Sequence, residues 1–224
     1  MAVEIKVPTI DGLTLNTKNK RVKDDIAITI GIPRYDGTVI GEFTNELEDF
    51  IAGTMKEYSN EKLTEVAAYG FCGRELEKLS LPNVTTIGAY TFYSMLKLQE
   101  LHLPKLEKVT GVNAMGGCTS LEYIYLPKLK TAATQQFSGC KNLKVAVFDS
   151  IDTIAGFAFQ GCTGLEKLVI RQNEKICTLG NAFYGFTYSG TIYVPDELVE
   201  DYKAHTNWAA YAEQIKPLSE YVEV

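Results

Sequence analysis

The sequence predicts an α/β repeat protein, a solenoid in which short strands stack coil upon coil. Three observations carry this prediction. Leu76, Leu98, Leu121, Leu143 and Leu165 open five similar lines at spacings of 22, 23, 22 and 22 residues. Within each line a short stretch alternates apolar and polar residues, the period-two signature of a strand. A single line is too short to bury both of its halves, whereas stacked lines bury a continuous core.

The lines open L-E-K-L-S-L-P, L-Q-E-L-H-L-P, L-E-Y-I-Y-L-P, L-K-V-A-V-F-D and L-E-K-L-V-I-R. A sixth, degenerate line, S-G-T-I-Y-V-P, runs from Ser189 to Pro195. An earlier half-line, V-A-A-Y-G-F at Val66 to Phe71, matches I-G-A-Y-T-F at Ile87 to Phe92. The strand positions expected to point inward are Leu79/Leu81, Leu101/Leu103, Ile124/Leu126, Ala146/Phe148, Leu168/Ile170 and Ile192/Val194. Pro82, Pro104, Pro127 and Pro195 follow four of these strands, and proline ends a strand because it lacks a donor. The return half of each line carries an apolar residue (Ile87, Val109, Ala132, Ile154) and then an aromatic or Met (Phe92, Met115, Phe137, Phe159, Phe183).

This pattern, L-x-x-L-x-L-P-x-x-L-x-x-I-x-x-x-x-F-x-x-C-x-x-L, resembles the BspA-like class of bacterial leucine-rich repeats. The resemblance covers about residues 50–195. It implies a right-handed curved solenoid with parallel strands on the concave face, and a mostly non-catalytic role in adhesion or interaction. Two lines depart from it. Asp149 and Arg171 stand where proline is expected, and the return after Leu165 is longer and passes through Cys177, so an irregularity is expected near residues 171–180.

A solenoid exposes its core at both ends unless something covers it. Residues 42–62 are read as an N-side helical cap followed by a first irregular strand. Phe43, Leu47, Phe50 and Ile51 recur at helical spacing after Thr44, a residue suited to an N-cap, and Thr54 to Tyr58 follow as the strand. Residues 63–195 form the solenoid. Residues 196–224 are read as a C-terminal helical cap. One helix starts at Asp196 and carries Leu198, Val199 and Tyr202; a second holds Trp208, Tyr211 and Ile215 and stops near Pro217. The resemblance implies the same kind of ending. Residues 1–41 are read as a small β appendage, with strands at Val3 to Val7 and Ile26 to Ile30 and turns at Asp11-Gly12 and Asp36-Gly37. About 25 residues of this segment resemble leaders on repeat proteins from prophage-like or gut-bacterial contexts.

Composition narrows the function. With 46% hydrophobic residues a core can form, and the net charge of −6 argues against nucleic-acid binding, which needs a basic surface. The acidity is concentrated: residues 196–224 carry 2 basic and 7 acidic side chains. No run of about 18 apolar residues is present, so membrane insertion is not expected. The opening M-A-V-E-I-K-V-P lacks a basic stretch and a long apolar stretch, so no secretory signal is expected. That favours a cytoplasmic or phage-particle location, or the cell surface if the chain is a piece of a longer protein.

Chemistry is sparsely represented. Cys118, Cys140 and Cys162 stand 22 residues apart and read, with Cys72, as a ladder of buried free thiols. Stacked equivalents have parallel Cβ vectors and do not aim at one another. No C-x-x-C pair is present, so no metal is expected. Cys177 lies off the ladder and is the candidate exposed thiol. His102 and His205 lie on separate elements, and neither G-x-S-x-G nor H-E-x-x-H occurs. No cofactor is expected, and an enzyme with an unrecognised site is kept as an alternative.

The informative surface is the outward side of the strands. Side chains alternate along a strand, so the position of Ser80 recurs as His102, Tyr125, Val147, Val169 and Tyr193. The position of Lys78 recurs as Glu100, Tyr123, Val145 and Lys167. The columns start polar and turn apolar. Tyr123, Tyr125, Val145, Val147, Val169 and Tyr193, with His102 at the edge, are therefore expected to form an exposed patch that binds a protein or glycan or mediates self-association. The plainer reading is that valine and tyrosine simply favour strands. A rival assignment makes the chain an attachment component of a phage-like particle, anchored by residues 1–41.

Overall fold

The computed structural model describes residues 55–223, so the expected appendage (1–41) and N-side helix (Phe43 to Ile51) lie outside the described residues. The described chain winds into a parallel-strand β-solenoid of about seven turns. Each full coil contributes one longer strand and one two-residue strand. The longer strands are β1 (Glu57–Ser59), β3 (Lys78–Ser80), β5 (Glu100–His102), β7 (Tyr123–Tyr125), β9 (Val145–Phe148), β11 (Lys167–Ile170) and β13 (Thr191–Val194). The short ones are β2 (Glu65–Val66), β4 (Thr86–Ile87), β6 (Lys108–Val109), β8 (Thr131–Ala132), β10 (Thr153–Ile154) and β12 (Thr178–Leu179).

Pairing follows the sequence period. Leu79 pairs with Leu101, Ile124 with Ala146, Ala146 with Leu168, and Leu168 with Ile192. Of the twelve inward strand residues named above, all are buried except Leu101, which is partly so. Phe92, Met115, Phe137, Phe159 and Phe183 are buried behind them. Several of the rings stack: Phe137 on Phe159 at 5.1 Å, and Phe159 on Phe183 at 5.8 Å. Each coil thus closes its neighbours' core.

Where Asp149 and Arg171 replace proline, β9 and β11 run one residue further, to Phe148 and Ile170. The Arg171 N–H donates to Phe148 O at 2.8 Å, a bond that proline could not make. The irregularity expected near 171–180 is present: no regular element lies between Ile170 and Thr178. Gln172 closes that loop, its Oε1 accepting from Lys175 N–H at 2.9 Å and its Nε2 donating to Asp152 at 3.3 Å.

One junction differs. The hydrogen-bonded strands group as β1-β3-β5 and β7-β9-β11-β13-β14 on one side, and as β2-β4-β6 and β8-β10-β12 on the other. Both ladders break in the 23-residue line, whose additional residue lies between Val109 and Asn113.

The turns use left-handed backbone at two positions per coil. Gly73, Gly117, Gly139, Gly161 and Gly185 occupy the second, with φ between 68° and 89°, and Ser94 (φ 55°) fills it in one coil. Tyr69, Tyr90, Asn113, Gln135 and Phe157 occupy the first. Five side chains there accept a conformation that costs L-residues about 1–2 kcal/mol each.

The C-terminal segment departs from the expected pair of helices. A 3-10 turn (Asp196–Leu198) leads into α1 (Val199–Ala204), the only α-helix among the described residues. The second expected helix is a 3-10 turn (Ala209–Tyr211) followed by β14 (Ile215–Pro217), which pairs in parallel with β13. Trp208, Tyr211 and Ile215 have helical spacing, but Ile215 finds a strand partner in Ile192, and the unpaired edge of β13 is closed by backbone bonds. Tyr202, Trp208 and Ile215 are buried against the last coils.

Candidate functional site

The outward columns form as expected. Ser59, Ser80 and His102 stand in one register, and Tyr125, Val147, Val169 and Tyr193 in the next. Beside them run Glu57, Lys78 and Glu100, and then Tyr123, Val145, Lys167 and Thr191. The first half is polar: Lys78 lies 3.5 Å from Glu57 and 3.2 Å from Glu100. The second half is aromatic and aliphatic.

Exposure divides the predicted patch. Tyr123 and Tyr125 are each 38% exposed, and His102 is exposed. Val145 is only 5% exposed, Val147 and Val169 are fully buried, and Tyr193 is half-buried. The expectation of one contiguous exposed patch is therefore corrected. The valines point out of the solenoid, but Leu218 and Tyr221 lie over them and form, with Tyr193, a small apolar cluster separate from the main core.

The charges along this face hold the covering segment. Arg171 pairs with Asp149 at 3.3 Å and with Glu223. Its guanidinium stands 5.8 Å from the Tyr125 ring centroid and 5.9 Å from that of Tyr221. Lys167 Nζ lies 5.6 Å from the Tyr221 ring, and Tyr193 packs on Tyr221 at 5.2 Å. Tyr125 donates to Asp149 Oδ2 at 2.5 Å, and this bond, with partial burial, pushes its hydroxyl above the usual phenol range. Burial does the same for Tyr123, helped by the nearby Tyr221 and Glu223.

The cysteine ladder stands behind the turns. Cys118, Cys140 and Cys162 are buried, and their thiols donate to the carbonyls of Phe92, Met115 and Phe137 at 3.1, 3.2 and 2.9 Å. Cys72 is half-buried rather than fully so. Cys177, expected to be exposed, is buried, because the C-terminal segment closes over its loop. All five cysteines are free. Among the described residues no group of three or more His, Cys, Asp or Glu is placed to hold a metal ion, and no helix is long and apolar enough to cross a membrane.

A second exposed surface was not anticipated. At the turn side Tyr69 stacks on Tyr90 at 5.0 Å, Tyr90 meets Tyr93 edge-on at 5.4 Å, and Phe157 meets Tyr184 edge-on at 5.1 Å. Between these rings Asn113 donates to Gln135 at 3.2 Å. The shared tyrosine of V-A-A-Y-G-F and I-G-A-Y-T-F was the available signal.

Residues 64–200 match six copies of the BspA type leucine rich repeat region, more than half of the chain. The chain belongs to this family. Among solved structures, the pneumococcal vaccine antigen PcpA is similar, with a TM-score of 0.57 and 20% identity over 73% of this chain. A leucine-rich repeat protein from Eubacterium ventriosum matches at a TM-score of 0.43 and 25% identity over 59% of the chain. The likeness to PcpA is one of fold. The chain spans 40% and 41% of those two proteins' lengths. No curated protein matches the chain.

Proposed function

We propose that this chain is a non-enzymatic interaction module that binds a protein or glycan partner through the concave strand face of its leucine-rich-repeat solenoid. One observation supports this above the others. Tyr123 and Tyr125 stand side by side, each 38% exposed, on a rigid strand beside an apolar cluster. A tyrosine ring offers apolar area and a hydroxyl together, which favours it as a contact anchor. His102 extends the face toward the polar half, and half-buried Tyr193 stands on the other side, beyond the valines that Leu218 and Tyr221 cover.

The test is the double substitution Tyr123→Ser/Tyr125→Ser, compared with the parent on a glycan array, in affinity capture and in sedimentation for self-association. The variant should keep its fold, because both side chains point away from the core, and should weaken binding by about 2 kcal/mol or more. Lys141→Glu, distant from the face, serves as the control. A double variant that binds and assembles like the parent overturns the reading.

A further inference from the structure

The valines of the strand face pose a physical question. They alternate with core residues and point outward, yet they are buried. What buries them is the segment after β14. The backbone ladder ends at the pair Val194 and Pro217, so this segment is not held by strand pairing. It carries a single 3-10 turn, Leu218–Glu220, and Asp196 accepts from the Ser219 N–H at 2.9 Å. The rest of its hold is side-chain contact: Leu218 and Tyr221 over the valines, Tyr221 against Tyr193, and Glu223 on Arg171. Charge is complementary, since an acidic segment lies against Lys167 and Arg171.

We propose that the seat over Val145, Val147 and Val169 is a peptide-binding groove that residues 218–223 occupy as a resident ligand. Its partner is an extended protein segment of the same chemistry: an aliphatic side chain, an aromatic one three residues on, and a carboxylate two residues further. This deepens the strand-face reading above and rests on it. Two features fit a replaceable occupant. The Tyr221 hydroxyl is buried with no hydrogen-bond partner, so the resident segment satisfies its seat incompletely. The groove also runs on to the exposed tyrosines: Arg171, which holds Glu223, reaches Asp149, and Asp149 accepts from Tyr125. A partner entering the seat would thus meet Tyr125 next. A tethered segment acts at an effective concentration on the order of millimolar, so a free peptide competes poorly with it until it is released.

The probe is a fluorescent peptide of sequence P-L-S-E-Y-V-E-V, residues 217–224, titrated by polarisation into the full chain. The parent should bind it weakly. The full chain carrying Leu218→Ser/Tyr221→Ser should bind it at least tenfold more tightly, and adding Arg171→Gln should reverse at least fivefold of that gain. Tyr221→Phe alone removes the stranded hydroxyl and should make the parent bind more weakly still. Native-state hydrogen exchange of the unaltered chain needs no variant. The amides of residues 218–223 should exchange by local opening, well before those of β9 and β11. Equal peptide binding by parent and opened chain overturns the proposal, as does exchange of the segment only on global unfolding. Neither result touches the strand-face reading, which stands or falls with the serine pair.

Discussion

Trp208 Nε1 donates to the main-chain carbonyl of Cys177 at 2.6 Å, across 31 residues of chain. The Cys177 N–H donates in turn to Tyr202 Oη at 2.8 Å. The two rings, 5.3 Å apart, thus satisfy both backbone groups of a residue in the irregular loop, where no strand neighbour is available. Replacing Trp208 with Phe keeps most of the apolar bulk but strands the Cys177 carbonyl. The expected loss is about 1–3 kcal/mol. Trp208→Ala also opens a cavity and should lose about 3–5 kcal/mol. Urea midpoints at constant slope measure both; an unchanged midpoint in Trp208→Phe would show that the bond contributes nothing.

The same closure sets thiol reactivity. Burial pushes the Cys177 thiol up to about 12, so its thiolate fraction at pH 8 is about 10⁻⁴. Cys118 is raised well above the usual thiol range, by the neighbouring Cys140 and then by burial. Cys72 is half-buried, and Arg74 partly offsets its upward shift. A disulfide reagent at pH 8 should therefore label Cys72 first, and the other four only on unfolding. Mass spectrometry that finds Cys177 modified as early as Cys72 contradicts this closure.

Two glycines give opposite expectations. A Cβ on Gly88 would lie 2.3 Å from Ala68 N and 2.7 Å from Ala68 Cα, both backbone atoms of the preceding coil. The Gly88 N–H also donates to Val66 O at 2.9 Å, so the coils cannot part without breaking a bond. Gly88→Ala should cost about 1–3 kcal/mol. Gly156 has nothing within 4 Å of its Cβ position, and Gly156→Ala should stabilise by about 0.4–1 kcal/mol through the unfolded chain. Melting temperatures moving in the same direction would refute the contrast.

Ser94 occupies the left-handed turn position that glycine fills in five other coils. Glycine adopts this backbone without the clash that L side chains suffer. Ser94→Gly should raise stability by about 0.5–1 kcal/mol, the left-handed penalty less the added freedom of glycine when unfolded. Calorimetry would show a melting temperature raised by a few degrees; a lowered one would mean that the Ser94 side chain stabilises its turn.

The strands, their register and the inward residues were legible because every coil repeats the same local problem. Leu79, Leu101 and Ile124 announce one another through a spacing near 22 residues. Features resting on a single long-range contact were not legible. Ile215 looked helical beside Trp208 and Tyr211, and only the open edge of β13 made it a strand. Cys177 looked exposed because the residues that bury it come 25 and 31 positions later. The outward valines were placed on the correct face, but their cover, Leu218 and Tyr221, belongs to no repeat.

The additional residue between Val109 and Asn113 shows how this architecture contains error. In a two-sided sheet a slip of one residue turns every later side chain to the wrong face. Here both ladders lapse at one junction, yet Asn113 and Gly117 resume the left-handed positions of their coil. The Met115 N–H donates to Gln136 O at 2.9 Å, and the Gly117 N–H to Ser138 O at 2.7 Å, so the turns keep phase where the strands lose it. Registration is re-established once per coil rather than inherited from the start of the chain. An insertion is therefore quarantined where it falls, and a lineage of such coils can gain or lose single residues without rewriting its neighbours.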